Sequence, residues 1–439
     1  MKIWILSIVA SISLLIGALD ASAESNPLQE LIDGTPKGGE LKLEAKTYNG
    51  NIVINKPLTI KGKKGTVING DQTGNVIEVT SDDVTLANLT IKHSGMSRSS
   101  EEEYAGVRVM GDHTILKNLT ITDSFHGIFL NKTKDVTITG TEITGQTTKN
   151  LGDQGNGIHI VRSGENKIVN NSIQGTRDGI YVEYSDNNKI NHNTVTQTRY
   201  GLHYMYSNYN NFEKNYFNRN TGGAAIMHSD HIVLKNNSFS FNQGSRSFGL
   251  IVQTSRDIQV VNNEFHLNQR GLYLEQSTSN LIEGNDFFHN QIGIELWSSA
   301  TAQTFLKNTF NKNISDVITV GGKSNNEWFK NKEGNYWNKP MVDLNQDQVG
   351  DTAFEYTSSL GELIEKNELA YLFLNSPAIK LYEKNNELFS NQKVMALDQY
   401  PLLKERNINY SLLFVVGIGL FIILYFYKVR KKQFYNKRF

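Results

Sequence analysis

Between residues 127 and 310 the chain alternates apolar and polar positions with the period of two that a β-strand shows, broken at regular intervals by glycine and by asparagine. Glycines stand at 127, 157, 179, 201, 223, 249, 271 and 293. Fourteen residues after each of the first seven come Thr141, Asn171, Asn193, Asn215, Asn237, Asn263 and Asn285, and fifteen after the last comes Asn308. The return to the next glycine is usually eight residues but twelve between Asn237 and Gly249, so one turn admits insertions and the rest of the unit does not.

A period near twenty-two, made of short β-favouring runs with no helical pattern between them, predicts a stacked solenoid: an all-β, right-handed, single-stranded parallel β-helix in which each repeat is one coil. Residues one and three after each glycine are apolar (Ile158 and Ile160, Ile180 and Val182, Leu202 and Tyr204, Leu250 and Val252) and are expected to face inward. Two residues beyond each asparagine lies a second core column, from Ile173 and Val195 through Phe217, Phe239, Phe265 and Phe287 to Phe310. A serine six beyond each glycine, Ser163 through Ser299, is expected to form with the asparagines polar ladders along the buried turns. Residues two and four after each glycine are expected to project into solvent.

The ends break this pattern. Met1 and Lys2 precede an apolar run from Ile3 to Leu19 and then Ala21, Ser22 and Ala23, the form of a secretory signal over residues 1–23. Residues 407–427 carry no charge, enough for about 31 Å of helix, and are expected to cross a membrane. The tail 428–439 holds Lys428, Arg430, Lys431, Lys432, Lys437 and Arg438, which places it in the cytoplasm and residues 24–406 outside. Between them, 24–337 is expected to form the solenoid and 338–406 an acidic loop and a small helical segment. Leu360, Leu363, Leu369, Leu372, Ile379, Leu381 and Leu388 of that segment are expected to cap the last coil. The stretch from Gly95 to Tyr104, with Glu101, Glu102 and Glu103, reads as an exposed loop.

Charge is balanced, 44 basic against 44 acidic residues, which argues against nucleic acid as a partner. Cysteine is absent, so a soft-metal site must use methionine and histidine. In the outward columns those donors cluster on adjacent coils: His203 and Met205 on one strand, roughly 7 Å apart, and Met227 roughly 4.8 Å from Met205 across the stack. Two thioethers and an imidazole suit copper as Cu(I). His228 follows Met227, and His159 lies two coils away at a second or transfer position. Asp343, Asn345 and Asp347 offer alternating oxygens to calcium, but Gln348 and Phe354 stand where an EF-hand loop has glycine and a bidentate glutamate, which favours a plain Asx-rich turn. A rival reading makes the chain a polysaccharide-active enzyme using Glu183, Glu275 and Glu295, and a third makes it a noncatalytic scaffold or adhesin.

The runs Gly201-Leu-His-Tyr-Met-Tyr-Ser207, Gly334-Asn-Tyr-Trp337, Asp343 to Asp351 and Ser376-Pro-Ala-Ile-Lys-Leu381, in that order after a β-helix, resemble the NosD family over nearly the whole mature chain. The resemblance implies an extracytoplasmic copper-binding protein, not an enzyme, that matures nitrous oxide reductase. It also implies an ABC-type ATPase and permease, NosF and NosY, as partners and a copper chaperone, NosL, upstream. His203, Met205 and Tyr206 carry over as residues of the motif, whereas Met227 and His228 rest on the column argument. The chain departs from the family in its terminal membrane segment and in having Ala353 where a proline is usual. It has no P-loop motif, so any ATP dependence falls to a partner.

Overall fold

The glycine that opens each repeat is required for space. A Cβ at Gly201 would lie 2.6 Å from the carbonyl oxygen of Gly223 on the next coil and 2.6 Å from Phe217, and Gly179, Gly223, Gly249 and Gly271 are crowded in the same way. Stacked glycines therefore let neighbouring coils close to strand spacing at one corner. The computed structural model describes residues 26–96, 103–146, 150–244, 246–322, 325–389 and 392–403. The expected signal (1–23), membrane segment (407–427) and basic tail (428–439) lie outside the described residues. Among these no helix is long and apolar enough to cross a membrane.

The described chain winds as a right-handed parallel β-helix whose three faces are each a 12-stranded parallel sheet. The first sheet runs from Glu40–Lys42 to Thr304–Leu306, the second from Thr47–Asn49 to Thr309–Asn311, and the third from Ile52–Ile54 to Ser315–Val320. Register follows the repeat: Ile173 pairs with Val195, Val195 with Phe217 and Phe217 with Phe239. The phenylalanines of that column stack inside, Phe265 on Phe287 at 4.8 Å and Phe287 on Phe310 at 5.2 Å between ring centres. Each ring, fully buried, contributes roughly 1.5–3 kcal/mol of apolar burial.

The asparagine ladder is continuous. The Asn193 backbone N–H and side-chain amide both donate to Asn215 Oδ1, at 2.9 and 3.0 Å, and the Asn215 backbone N–H donates to Asn237 Oδ1 at 2.9 Å. The serine ladder runs alongside, the Ser185 N–H donating to Ser207 Oγ and the Ser207 N–H to Ser229 Oγ, each at 3.0 Å. A further ladder at another corner joins Asn220, Asn242, Asn268 and Asn290, a column that the spacing of the sequence also contains.

Both ends of the core are closed. Helix α1 (Pro27–Gly34), capped by the Asn26 side chain, buries Leu28 and Ile32 on the first coils. At the other end an antiparallel pair, Phe354–Ser358 with Lys393–Asp398, brings Met395 and Ala396 onto the core beside Trp328 and Trp337. Trp337 stacks on Phe310 at 4.6 Å and its Nε1 donates to Asp398 at 2.9 Å.

The C-terminal helices pack on the last coil, against the outer face of its third-sheet strand rather than across the end of its core. Helix α2 (Leu360–Lys366), a 3-10 turn (Glu368–Phe373) and helix α3 (Pro377–Leu388) follow one another, and Leu360, Ile364, Tyr371 and Ile379 join one buried cluster with Ile292, Ile318 and Val320 of the third sheet. Because the tryptophans and the hairpin already fill the end, the helices cover the side of the third sheet. Leu369, Leu372, Leu381 and Leu388 are left exposed. In the acidic loop, Asp343 accepts the N–H groups of Gln346 and Gln348, Asn345 that of Asp347, and Asp347 that of Val349, so these oxygens serve Asx turns.

Candidate functional site

The outer face of the third sheet carries the columns counted from the glycines. Phe129, His159, Tyr181, His203 and Ala225 are successive register partners, and so are Val161, Glu183, Met205, Met227 and Gln253. Both columns face away from the core, yet the first does not reach solvent: His159 is 5% and His203 9% exposed. Flanking aromatic side chains enclose the rings. His159 lies among His126, Phe129 and Tyr181, and His203 lies against Tyr181 and Tyr200, all at 4.8–5.1 Å between ring centres. Met205 and Met227, one column over, are half-buried and directly opposed across the coils. The expectation that His203 projects into solvent is thus corrected, while the adjacency of the three donors' positions stands.

His203 is held by groups that the glycine count does not single out. Its Nδ1 lies 3.0 Å from Asp178 Oδ2 on the preceding coil. Asp178 in turn receives the Arg199 guanidinium on both oxygens, Nε to Oδ1 at 2.8 Å. Burial opposes ionisation of this carboxyl, but the hydrogen bonds from His203 and Arg199 outweigh it and leave its pKa below the usual aspartate value. An ionised carboxylate only accepts, so His203 Nδ1 carries a proton, and the lone pair of the neutral ring is then on Nε2. That Nε2 is buried and has no hydrogen-bond partner among the described residues. A carboxylate on one imidazole nitrogen with the other left bare is how proteins set a histidine to bind a metal.

His159 has both ring nitrogens buried without hydrogen-bond partners among the described residues, and desolvation lowers its pKa to about 3, so it is a neutral imidazole. Glu103, His126 and His159 each bring one donor atom within 4.8 Å of the others. Chemistry separates them. The Asn156 backbone N–H donates to His126 Nδ1 at 2.9 Å, which puts the neutral ring's proton on Nε2, the nitrogen turned toward Glu103. His126 is therefore poised as a donor to the carboxylate. His159, with Nδ1 3.4 Å from Glu103, is the member that keeps a lone pair to offer.

His228 lies apart from the buried rings. It occupies an exposed left-handed corner, φ 49°, and stacks at 4.9 Å on Tyr206, which stacks at 5.1 Å on Tyr184. Of the residues that a sugar-cleaving reading names, Glu295 is fully buried and accepts from the Tyr371 hydroxyl at 2.8 Å, Glu275 accepts from Tyr273 at 3.0 Å, and Glu183 is half-buried in register between Val161 and Met205. Asp178 and Arg199 escape the sequence reading because they sit just before Gly179 and two before Gly201, outside the columns counted forward from glycine. Asp178, paired with Tyr200 one position before the glycine, nonetheless meets His203 on the outer face.

Comparison with known proteins shows the family of the chain. A family model described as periplasmic copper-binding protein (NosD) matches residues 140–342. A relative from Stutzerimonas stutzeri, named a probable ABC transporter binding protein NosD, is 32% identical over 418 residues, spanning 90% of this chain and 94% of the relative. One of the same name from Pseudomonas aeruginosa is 33% identical over 412 residues, spanning 89% and 94%. Among solved structures the fold is similar to PfbA, a surface adhesin of Streptococcus pneumoniae (TM-score 0.54, 15% identity, 68% of this chain and 89% of that one). It is also similar to the catalytic domain of a GH87 alpha-1,3-glucanase in complex with nigerose (TM-score 0.52, 12% identity, 67% and 64%). At those identities the likeness is one of fold. On the extent and identity of its sequence relatives, the chain belongs to the NosD family of periplasmic copper-binding proteins.

Proposed function

We propose that this protein is a membrane-anchored copper carrier on the outer side of the cytoplasmic membrane that works with an ABC-type transporter to supply copper to the copper site of nitrous oxide reductase. Its cargo is Cu(I), held by His203 Nε2 with the thioethers of Met205 and Met227, and His159 is the transfer position toward which the ion moves. His228 stands at the exposed edge, where an incoming ion first meets the surface. The observation that carries the reading is the bare, buried Nε2 of His203 backed by Asp178 and Arg199. Thioethers and imidazole are neutral and soft, and the Asp178–Arg199 pair balances its own charge, so the face accepts a monovalent soft ion and disfavours a hard divalent one. The relatives' name supports a transporter partner, and the ATPase, the permease, the chaperone and the reductase are the partners that family membership suggests.

The test is a competition titration of the full-length protein against a chromophoric Cu(I) chelator. One equivalent is expected to bind, and His203→Ala with Met205→Ala is expected to weaken it well over tenfold, more than about 1.4 kcal/mol. An unchanged affinity in the double variant removes the site. Cells lacking the chain are expected to make reductase polypeptide without its copper site, and normally metallated reductase from such cells removes the role.

A further inference from the structure

A cavity of about 590 Å³ lies beside the copper face, between the third sheet and the C-terminal helices. Its parts come from three places in the sequence. Tyr273, Glu295 and Trp297 are strand residues, Arg246 belongs to the long turn between Asn237 and Gly249, and Tyr371 belongs to the 3-10 turn Glu368–Phe373. The long turn and the 3-10 turn meet at the rim, where Arg246 reaches Glu368 at 2.7 Å. Thus the twelve-residue return between Asn237 and Gly249 and the C-terminal helical segment share a location.

The polar groups inside specify what fits. Arg270 is buried, with its guanidinium over the rings of Tyr273 and Tyr371 at 4.9 and 5.4 Å and its Nε donating to the Ser247 carbonyl at 3.1 Å. Glu295 is fully buried; its Oε1 accepts from Tyr371 and from Trp297 Nε1, but its Oε2 has no hydrogen bond. Arg270 Nη1 stands 3.8 Å from that oxygen, beyond hydrogen-bond range. A cationic guest would meet Arg270, which already occupies the aromatic cage, and an anionic guest would meet Glu295. A hydroxyl satisfies both groups with one atom, donating to the carboxylate and accepting from the guanidinium, and brings no charge into a buried space. Aromatic walls want an apolar face on the same molecule.

We infer that this cavity is a binding site for a neutral saccharide, whose hydroxyls bridge Arg270 and Glu295 while a ring face lies against Trp297 and Tyr273. The cavity holds none of the proposed copper ligands, so it stands or falls independently of the copper reading.

The experiment is saturation-transfer NMR and calorimetry on the full-length protein with maltose, cellobiose and diacetylchitobiose, and with glucuronate, glucosamine and inorganic phosphate as charged probes. At least one neutral disaccharide is expected to bind saturably and in preference to every charged probe. Trp297→Ala and Glu295→Ala are each expected to weaken it at least tenfold, with Cu(I) affinity and melting behaviour reporting that the fold is retained. Absence of binding by all three disaccharides up to their solubility, or binding that both substitutions leave unchanged, overturns the inference, as does preference for a charged probe.

Discussion

Asp178 Oδ2 lies 3.0 Å from His203 Nδ1 across adjacent coils of the solenoid, and this contact decides which nitrogen of His203 is free. Replacing Asp178 by asparagine leaves a hydrogen-bonding group of the same shape but removes the charge that fixes the proton on Nδ1. Asp178→Asn is therefore expected to lower Cu(I) affinity about 10–100-fold with the fold intact, the usual cost of altering the carboxylate that orients a metal-bound histidine. Asp178→Ala is expected to cost more, because it also strips the partner of Arg199. A chelator competition on both variants checks this; equal affinity for Asp178→Asn and the parent sinks it.

The methionines and His228 separate the buried face from its edge. Met205 and Met227 are opposed in register, whereas His228 stacks on Tyr206 in the open. Met205→Leu and Met227→Leu keep the packing volume and remove the sulfur, and each is expected to weaken Cu(I) binding at least tenfold with little change in stability. His228→Ala is expected to slow copper uptake more than it weakens equilibrium affinity. Stopped-flow loading beside the equilibrium titration distinguishes the two; an equilibrium loss at His228 as large as at Met227 makes it a ligand in its own right.

How much of this was legible in the sequence follows from what a solenoid is. Contacts in the core join equivalent residues one repeat apart, so the column from Ile173 to Phe310 could be read by counting, as could the adjacency of His203, Met205 and Met227. What comes from segments without the repeat cannot be counted. Tyr181 and Tyr200, which bury His203, stand within the repeat and could be counted, whereas the apolar helices that lie on the outer face of the last coil, beside Ile318 and Val320, could not. Asp178 was hidden differently: it stands just before the glycine, outside the columns counted forward from it, yet its side chain reaches His203.

The asparagine ladder makes a quantitative stability prediction. Asn215 Oδ1 accepts two bonds from Asn193, and its amide donates to the Ile190 carbonyl at 2.8 Å and to Asn237. Asn215→Ala leaves the Asn193 N–H and the Ile190 carbonyl buried without these partners, at roughly 1–3 kcal/mol each. Urea unfolding is expected to show a loss of about 2–4 kcal/mol, against less than about 0.5 for the exposed Lys189→Ala. A loss no larger than that of Lys189→Ala would show that water or a shifted neighbour satisfies the turn.

His159 contributes to the pH response of the metal-free protein, opposed by buried carboxyls such as Asp316, which burial pushes up to about 6. Its folded pKa, about 3, lies below the ordinary histidine value of 6.5 because burial disfavours the cation, an effect that Asp178 only partly offsets. Above pH 6.5 both folded and unfolded chains hold it neutral. As pH falls below 6.5 the unfolded chain takes up a proton and the folded chain does not, so stability declines toward pH 3 with a slope of up to about 1.4 kcal/mol per unit. His126, lowered by its own burial and then by His159, adds to the decline, while Glu103, raised by burial and then by Glu183, works the other way. His159→Phe, which places a ring beside Phe129 and Tyr181, is expected to flatten the curve between pH 6.5 and 4.5 and to leave stability above pH 7 changed only by the quality of the fit. Urea titrations at pH 7.5, 5.5 and 4.5 on both proteins measure it. Parallel curves would mean that the imidazole is reached by water and protonates in place, and a ring that protonates at pH 5 would lose its lone pair to the proton where a buried neutral one keeps it for the ion.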